Sequence, residues 1–463
     1  MFFKGKKIVV LGAGISGMSV ACVLQKAGAQ VTLSDSKSRE QLGNKDFSSL
    51  DECGVKLKLG QQGEGLLDNI DAIVVSPGIS IEIPLIKMAK SRKIKVMSEI
   101  EVAYQLCKAP ILAITGTNGK TTTTTLLGEM MKTTGKDVVV GGNIGLALSH
   151  EVAGVSDDGI VVAEISSFQL EGSINFKPRV AAILNITPDH LDRHHSLENY
   201  IAMKERIFSN QTKDDYIVLN YDDLTVRKMA EKVPSNVFFF SRKVELDSGI
   251  FVKNGMIMIK WQGATYNLCP VTSIQLKGGH NIENVLAACG VAFLAGVSLV
   301  SMKRTVLKFK GVEHRIEKVA VINGITYYND SKATNPESSI KALEAFDQPV
   351  ILIAGGRDKN TDLTAFMALI KEKVRHFILL GEAKGRFEKA GKKHGIGQIH
   401  TVNTLAEAVQ LAQRLAKEAD AVLLSPACAS YDMFTSYEER GKLFKKLVYE
   451  LQLKEESIAL HNV

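Results

Sequence analysis

The chain contains no run of 18 or more apolar residues, which argues against a membrane-spanning helix. Its six cysteines (Cys22, Cys53, Cys107, Cys269, Cys289 and Cys428) include no Cys-x-x-Cys pair. That scatter argues against a disulfide framework and a zinc site, and it fits a reducing cytosol. No block of lysine and arginine with interleaved aromatics accompanies the net charge of +7, so nucleic acid is not an expected partner. A phosphorylated small molecule would use the same positive excess more locally. Low-complexity linkers are missing too, and residues 1–7 are too short and too charged for a secretory leader. The expectation is a cytoplasmic protein with no membrane association.

At 463 residues the chain is too long for one ordinary domain. Short apolar runs at 7–11, 31–35 and 71–76 read as buried strands, with a helical pattern over 18–27. A second series has strands at 111–114, 159–164 and 180–185, then a hairpin-rich stretch at 216–270 with Asn254-Gly255 as a turn, then a helix over 281–294. A third has strands at 349–353, 376–380 and 421–424 with helices between. This alternation predicts an α/β protein with mainly parallel sheets and three domains, at 1–98, 99–311 and 312–463.

Gly12-Ala13-Gly14-Ile15-Ser16-Gly17 is a full G-x-G-x-x-G between a strand and a helix, and Asp35 ends the next strand. This pattern gives a Rossmann-like reading: glycines allow close approach, a helix N-terminus receives phosphate, and the acid accepts from a hydroxyl. An NAD enzyme would use it. So would a UDP-sugar binder, because the physics asks only for a diphosphate and a hydroxyl donor; a turn made for packing alone also remains open. Thr115-Gly116-Thr117-Asn118-Gly119-Lys120-Thr121-Thr122 is the stronger signal. Backbone N–H groups of such a turn cradle phosphate, Lys120 neutralises it, and the Thr121 hydroxyl can ligate Mg²⁺. Position 114 is isoleucine where the general P-loop pattern has glycine, so the loop is a shorter variant.

This loop resembles the ATP site of the muramyl ligases and the related folylpolyglutamate synthases. The likeness runs over nearly the whole chain, through Glu164-Ile165-Ser166-Ser167, Asn185-Ile186-Thr187-Pro188-Asp189-His190, Gly279-His280-Asn281, His314-Arg315, Asn329-Asp330-Ser331-Lys332 and Gly355-Gly356-Arg357-Asp358-Lys359. The closing Ser425-Pro426-Ala427-Cys428-Ala429-Ser430-Tyr431-Asp432 is similar to the D-glutamate-adding branch of that family. The resemblance implies an N-terminal Rossmann-like domain for a UDP-sugar, a central P-loop ATPase-like domain and a C-terminal Rossmann-like domain for the amino acid. The implied activity is ATP-dependent amide formation through an acyl phosphate, joining D-glutamate to UDP-N-acetylmuramoyl-L-alanine in peptidoglycan precursor synthesis, by a monomer.

Residue by residue, the resemblance implies an ATP site of Gly116, Thr117, Asn118, Gly119, Lys120, Thr121, Thr122 and Thr123, with Asn281 and Asn284 on the adenine side and Arg315, Asp330 and Lys332 on phosphates and ribose. It puts Mg²⁺ on Thr121, Glu164, His190 and a Lys204 carbamylated by CO₂, making Lys120, Glu164, His190 and Lys204 the catalytic set. Ile15, Ser16, Asp35, Ser36, Gly78, Asn143 and His190 would meet the UDP-sugar, and Thr334, Lys359, Ser430 and Tyr437 the D-glutamate. His194 and His195 are expected at the surface, and Cys428 is expected to be structural, since nothing near it in sequence supplies a base. Other members of the family, an NAD oxidoreductase with an appended ATPase, and a non-enzymatic nucleotide-switched module are the alternatives.

Overall fold

The computed structural model describes residues 2–42, 46–60, 62–276, 278–358 and 360–461, with residues 456–461 as backbone alone. The predicted alternation of strand and helix builds three sheets. In the first, β1 (Lys7–Leu11), β2 (Gln30–Asp35), β3 (Lys56–Leu59), β4 (Ala72–Val75) and β5 (Lys95–Ser98) lie parallel in the order β3-β2-β1-β4-β5. Its central strands β1 and β4 are apolar on both faces beyond Lys7 because both faces are covered. Val10 and Val74 pack in one hydrophobic cluster, while Val9 and Ile73 pack in another across the sheet. A slip of one residue would exchange the two sets, so the register is tightly specified.

The second sheet holds β6 (Ile111–Thr115), β7 (Val138–Gly142), β8 (Ile160–Glu164), β9 (Val180–Ile183), β10 (Tyr216–Asn220), β11 (Asn236–Ser241), β12 (Gly249–Lys253), β13 (Met256–Trp261) and β14 (Ala264–Pro270). Their order is β14-β13-β12-β11-β10-β9-β6-β8-β7, parallel as far as β12 and then antiparallel through two hairpins. Asn254 and Gly255 turn the first hairpin with φ of 50° and 73°, as the sequence predicts. β6 lies between β8 and β9; the connection from β6 to β7 runs to one side and that from β8 to β9 to the other. The crevice at its C-terminal end is where an open α/β sheet receives a ligand. The predicted strand at 180–185 stops at Ile183 because the Asn185 side chain and carbonyl are used to hold the loop after β6.

In the third sheet β15 (Glu317–Ile322), β16 (Ile325–Asn329), β17 (Val350–Gly355), β18 (Val374–Leu380), β19 (Ile399–Thr401) and β20 (Ala421–Leu424) run in the order β15-β16-β20-β17-β18-β19, with only β15 antiparallel. The chain divides into two compact units, residues 1–273 with 283–308, and residues 274–282 with 309–463. The first two sheets belong to the first unit and the third sheet to the second. Among the described residues no helix is long and apolar enough to cross a membrane.

Candidate functional site

β6 delivers the chain into the loop Gly116-Thr117-Asn118-Gly119, and the helix Lys120–Lys132 starts directly after it. Gly116 and Gly119 take φ of 152° and 85°, and a Cβ on Gly119 would collide with the Asn284 side-chain oxygen. Glycine is therefore required at 119. The loop is braced from beneath. Asn118 N–H donates to Asn185 Oδ1 at 2.8 Å, and Asn185 Nδ2 donates back to the Asn118 carbonyl at 3.1 Å. Thr117 Oγ1 bonds the Thr187 carbonyl and the Tyr200 hydroxyl, each at 3.2 Å. Lys120 Nζ lies 2.9 Å from the carbonyls of both Gly116 and Thr117. A helix N-terminus with a lysine as its first residue attracts phosphate through both its N–H groups and its charge. Thr121, Thr122 and Thr123 are buried on the first turn, and the Thr122 hydroxyl has no hydrogen-bond partner. Asn284 accepts a bond from the Thr123 hydroxyl, whereas Asn281, also buried, belongs to the second unit.

Glu164 ends β8 and is buried. Its Oε1 accepts from Asn143 Nδ2 at 2.8 Å, while Oε2 has no partner. A buried carboxylate oxygen without a donor is costly, and a hard divalent cation would satisfy it. Lys204, on the helix Leu197–Glu205, is only 1% exposed; its Nζ donates to the Gly116 carbonyl at 2.9 Å and lies 4.6 Å from the centre of the Tyr200 ring. Burial, reinforced by the charge of Lys120, pushes its pKa well below the usual lysine range. His190 is exposed, with φ of 55°, between the Phe168 ring at 4.8 Å and the Asp189 carboxylate at 3.6 Å.

His194 corrects the sequence expectation. It is buried, its Nε2 pairs with Ser167 Oγ at 3.0 Å, and its ring packs on Phe168 and Tyr200. Burial lowers its pKa to about 4, so it is neutral near pH 7. The short helix Leu191–His194 turns neighbouring histidines apart, and His195 does lie exposed beside Glu82. Sequence reasoning also missed Arg193. Its guanidinium donates to the carbonyls of Pro77 and Ile79 at 2.7 and 2.8 Å, pairs with Glu171, and covers the Phe168 ring at 4.3 Å. Tyr200 was missed for a similar reason: its role lies in contacts far apart in sequence.

At the end of β2, Asp35 accepts from backbone groups: Oδ2 from Ala13 N–H at 2.8 Å and Oδ1 from Lys37 N–H at 3.0 Å. Ile15 is 73% exposed at the start of its helix, Ser16 is half-buried, and Ser36 and Gly78 are exposed. Asn143 is exposed as well, and its Nδ2 donates to Glu164 Oε1.

In the second unit, Asp330 is buried after β16. Ser425 Oγ donates to it at 2.8 Å, and desolvation raises its pKa to about 7. Arg315 and Lys332 are half-buried; Lys332 Nζ lies 5.2 Å from the centre of the Tyr437 ring. Thr334, Ser430 and Tyr437 line one cavity of about 340 Å³, which Arg357 and Tyr431 share. Tyr437 contributes backbone, its carbonyl accepting from Ser331 Oγ at 2.8 Å. Lys359 lies outside the described residues. Cys428 is buried and its thiol is pushed up to about 12 by desolvation, which suits a structural thiol.

Three family descriptions match the chain: Mur ligase MurD-like, N-terminal domain over residues 6–98, Mur ligase middle domain over 114–292, and Mur ligase, glutamate ligase domain over 314–428. A UDP-N-acetylmuramoylalanine--D-glutamate ligase of Thermoanaerobacter sp. is 46% identical, covering 98% of this chain and 100% of its own. One of Geotalea daltonii is 46% identical over 97% of this chain and 99% of its own. Among solved structures, a UDP-N-acetylmuramate-alanine ligase of Thermotoga maritima superposes with a TM-score of 0.60 at 19% identity, covering 96% of this chain and 99% of its own. A pseudomurein peptide ligase type C of Methanothermus fervidus gives 0.59 at 19% identity, over 96% of this chain and 100% of its own. The three domain matches and the relatives at 46% identity over nearly the full length show it: the chain belongs to the Mur ligase family.

Proposed function

We propose that this chain is an ATP-dependent ligase that adds D-glutamate to UDP-N-acetylmuramoyl-L-alanine in cytoplasmic peptidoglycan synthesis, working as a monomer. The observation that carries the reading is the end-to-end match, at 46% identity, to a relative named for that reaction. The muramoyl-alanine carboxylate attacks the γ-phosphorus of ATP, ADP leaves, and an acyl phosphate forms. The free amine of D-glutamate then attacks the acyl carbon, phosphate leaves, and the amine nitrogen gives up a proton.

The loop 116–119 and Lys120 hold the phosphates, Asn281 and Asn284 serve the adenine side, and Arg315, Asp330 and Lys332 reach ribose and phosphate. Ile15, Ser16, Asp35, Ser36, Gly78, Asn143 and His190 receive the UDP-sugar, while Thr334, Lys359, Ser430 and Tyr437 receive D-glutamate. Glu164, Thr121, His190 and a carbamylated Lys204 would hold Mg²⁺, which neutralises phosphate charge when bound. Two features support that set: the unpartnered Glu164 oxygen and the buried Lys204 amine. An amine kept neutral has a free lone pair for CO₂; the N–C bond forms, one proton leaves, and the neutral amine becomes an anion.

ADP release should be measured with a panel of UDP-muramoyl substrates and amino acids. It should be fast only when UDP-N-acetylmuramoyl-L-alanine and D-glutamate are both present. Preference for L-alanine, or for a diamino acid, would overturn the reading.

A further inference from the structure

We infer that Arg193 is a positioning residue for the UDP substrate: it fixes the spacing between the glycine turn after β1 and the turn that carries His190. This rests on the reading above that the chain acts on a UDP-muramoyl substrate, with its nucleotide at the first turn and its sugar end at the second. Such a substrate carries the nucleotide far from the reacting carboxylate. Binding energy at the remote end lowers the barrier only when the two subsites stand at a set distance.

The nucleotide side is tied to the turn that follows β4. Ser76 N–H donates to the Leu11 carbonyl at 3.0 Å, and its Oγ donates to the Gly12 carbonyl at 3.2 Å. Ile79 N–H closes the turn on the Ser76 carbonyl at 2.9 Å, and a Cβ on Gly12 would meet Ile79 Cδ1. Residues 76–79 and the glycine turn are therefore one packed piece. The Pro77 and Ile79 carbonyls, on either side of the exposed Gly78, accept from Arg193 Nη1 and Nη2 at 2.7 and 2.8 Å.

The reacting side is built on β8. Glu164 ends that strand, and the helix Ser167–Leu170 begins three residues later, held by a capping box between Ser166 and Gln169. This helix carries Phe168, whose ring centre lies 4.8 Å from the His190 ring and 4.3 Å from the Arg193 guanidinium carbon. Glu171 follows the helix and takes another edge of the guanidinium: Nε donates to Oε1 at 3.0 Å, and Nη2 donates to Oε2. One planar group is thus held by two carbonyls from the first side and by a carboxylate and a ring face from the second. A lysine could keep Glu171 but lacks the fork that reaches both carbonyls. The other pair joining these segments, His195 with Glu82 at 3.1 Å, is exposed and screened by solvent.

The test is steady-state kinetics of the full chain, of Arg193→Lys and of Arg193→Met. The substrates are UDP-N-acetylmuramoyl-L-alanine and a truncated analogue that ends at the sugar 1-phosphate. Arg193→Met should lower kcat/KM for the full substrate about tenfold to a hundredfold, the span of an ångström-scale misplacement. For the analogue kcat/KM should change less than about threefold, as should KM for ATP, so the advantage of the full substrate shrinks. Arg193→Lys should fall between. Losing the guanidinium leaves the Glu171 carboxylate without its partner, so Glu171→Gln combined with Arg193→Met is the control for folding. The double variant should regain melting temperature and keep the loss in kcat/KM. Calorimetry with UDP alone gives a second readout: its Kd should hold in Arg193→Met while that of the full substrate rises. Equal losses for full substrate and analogue, or for UDP and full substrate, would mean a merely structural role and overturn the inference. Recovery of kcat/KM in the double variant, an unchanged kcat/KM in Arg193→Met, or a wild type indifferent to the truncation would overturn it too. A wild type that turns over no UDP-muramoyl substrate would bring down the functional reading as well, which tells that failure from a failure of Arg193 alone.

Discussion

The two glycine turns, after β1 and after β6, follow a buried strand and lead into a helix, yet their glycines answer to different demands. After β1, a Cβ on Gly17 would run into the Gly12 carbonyl and the Ser76 hydroxyl, and Gly12 itself takes φ of 99°. Those two glycines are required by packing, and Asp35 braces the turn. Only Gly14 faces open space. After β6 the loop is the surface proposed to hold phosphate. Asn185, Thr117 and Tyr200 brace it from below, with Lys204 buried beside them. A glycine fingerprint read alone therefore cannot tell a ligand cradle from a packed corner; the side chains underneath decide.

The largest expected effect lies at the second turn. Lys120→Ala removes the cation at the helix N-terminus and should lower kcat about 100- to 1,000-fold, with the melting temperature held. Unaltered turnover at saturating ATP would remove the phosphate role from this loop. Lys204→Ala comes next, with about a hundredfold loss expected if the carbamate holds Mg²⁺. Acetate should restore part of that activity by filling the vacated space with an anion, and bicarbonate depletion should weaken the wild type. Rescue by amines alone would mean that the ammonium, not a carbamate, is needed.

At the first turn the expected losses are of stability. Gly17→Ala forces a methyl against the Gly12 carbonyl and should cost about 3 kcal/mol, read by denaturant unfolding. A cost below about 0.5 kcal/mol would mean that the turn yields easily. The floor of the second turn, by contrast, should be pH-sensitive through His194. Its folded pKa of about 4 lies below the ordinary 6.5, so the unfolded chain takes up the proton first. That contribution is complete above about pH 6.5 and is lost as pH falls toward 4, amounting to about 2 kcal/mol between pH 8 and pH 5. His194→Phe should flatten the stability profile over that window relative to the wild type; an unchanged slope would assign the acid sensitivity elsewhere.

Much of this was legible in the sequence for a physical reason. Stretches such as 8–11 and 111–114 are apolar throughout because both faces of a parallel sheet are covered, and glycine with lysine at a strand end has few structural uses. The edge strand β3 was not legible: its Lys56-Leu57-Lys58-Leu59 is only half covered and gives no apolar run. Nor were Arg193 and Tyr200. Their partners lie 114 and 83 positions away, at Ile79 and Thr117, and no local pattern encodes such pairs. His194 failed for the same cause, since the turn that buries it is set by Phe168 and Ser167 from another element.

Gly14→Ala should give the smallest change in stability, and it sharpens the comparison most. Gly14 has φ of −77° and ψ of 176°, values that alanine adopts freely, and nothing lies within 4 Å of the Cβ it would gain. The unfolded chain loses freedom on the change while the folded one meets no clash. Stability should therefore hold or rise by about 0.4–1 kcal/mol. That same open space is where a diphosphate would approach the helix Ile15–Lys26, so the added methyl should raise KM for the UDP substrate while leaving KM for ATP alone. Calorimetry with UDP and with NAD then separates the two ligands that the fingerprint leaves open: UDP should bind the wild type and lose affinity in the variant, and NAD should bind neither. Paired with Gly17→Ala, the variant divides the motif into a glycine kept for packing and a glycine kept for ligand. An unchanged KM for the UDP substrate in Gly14→Ala would mean that the whole first turn is a packed corner and that the UDP-sugar is held elsewhere.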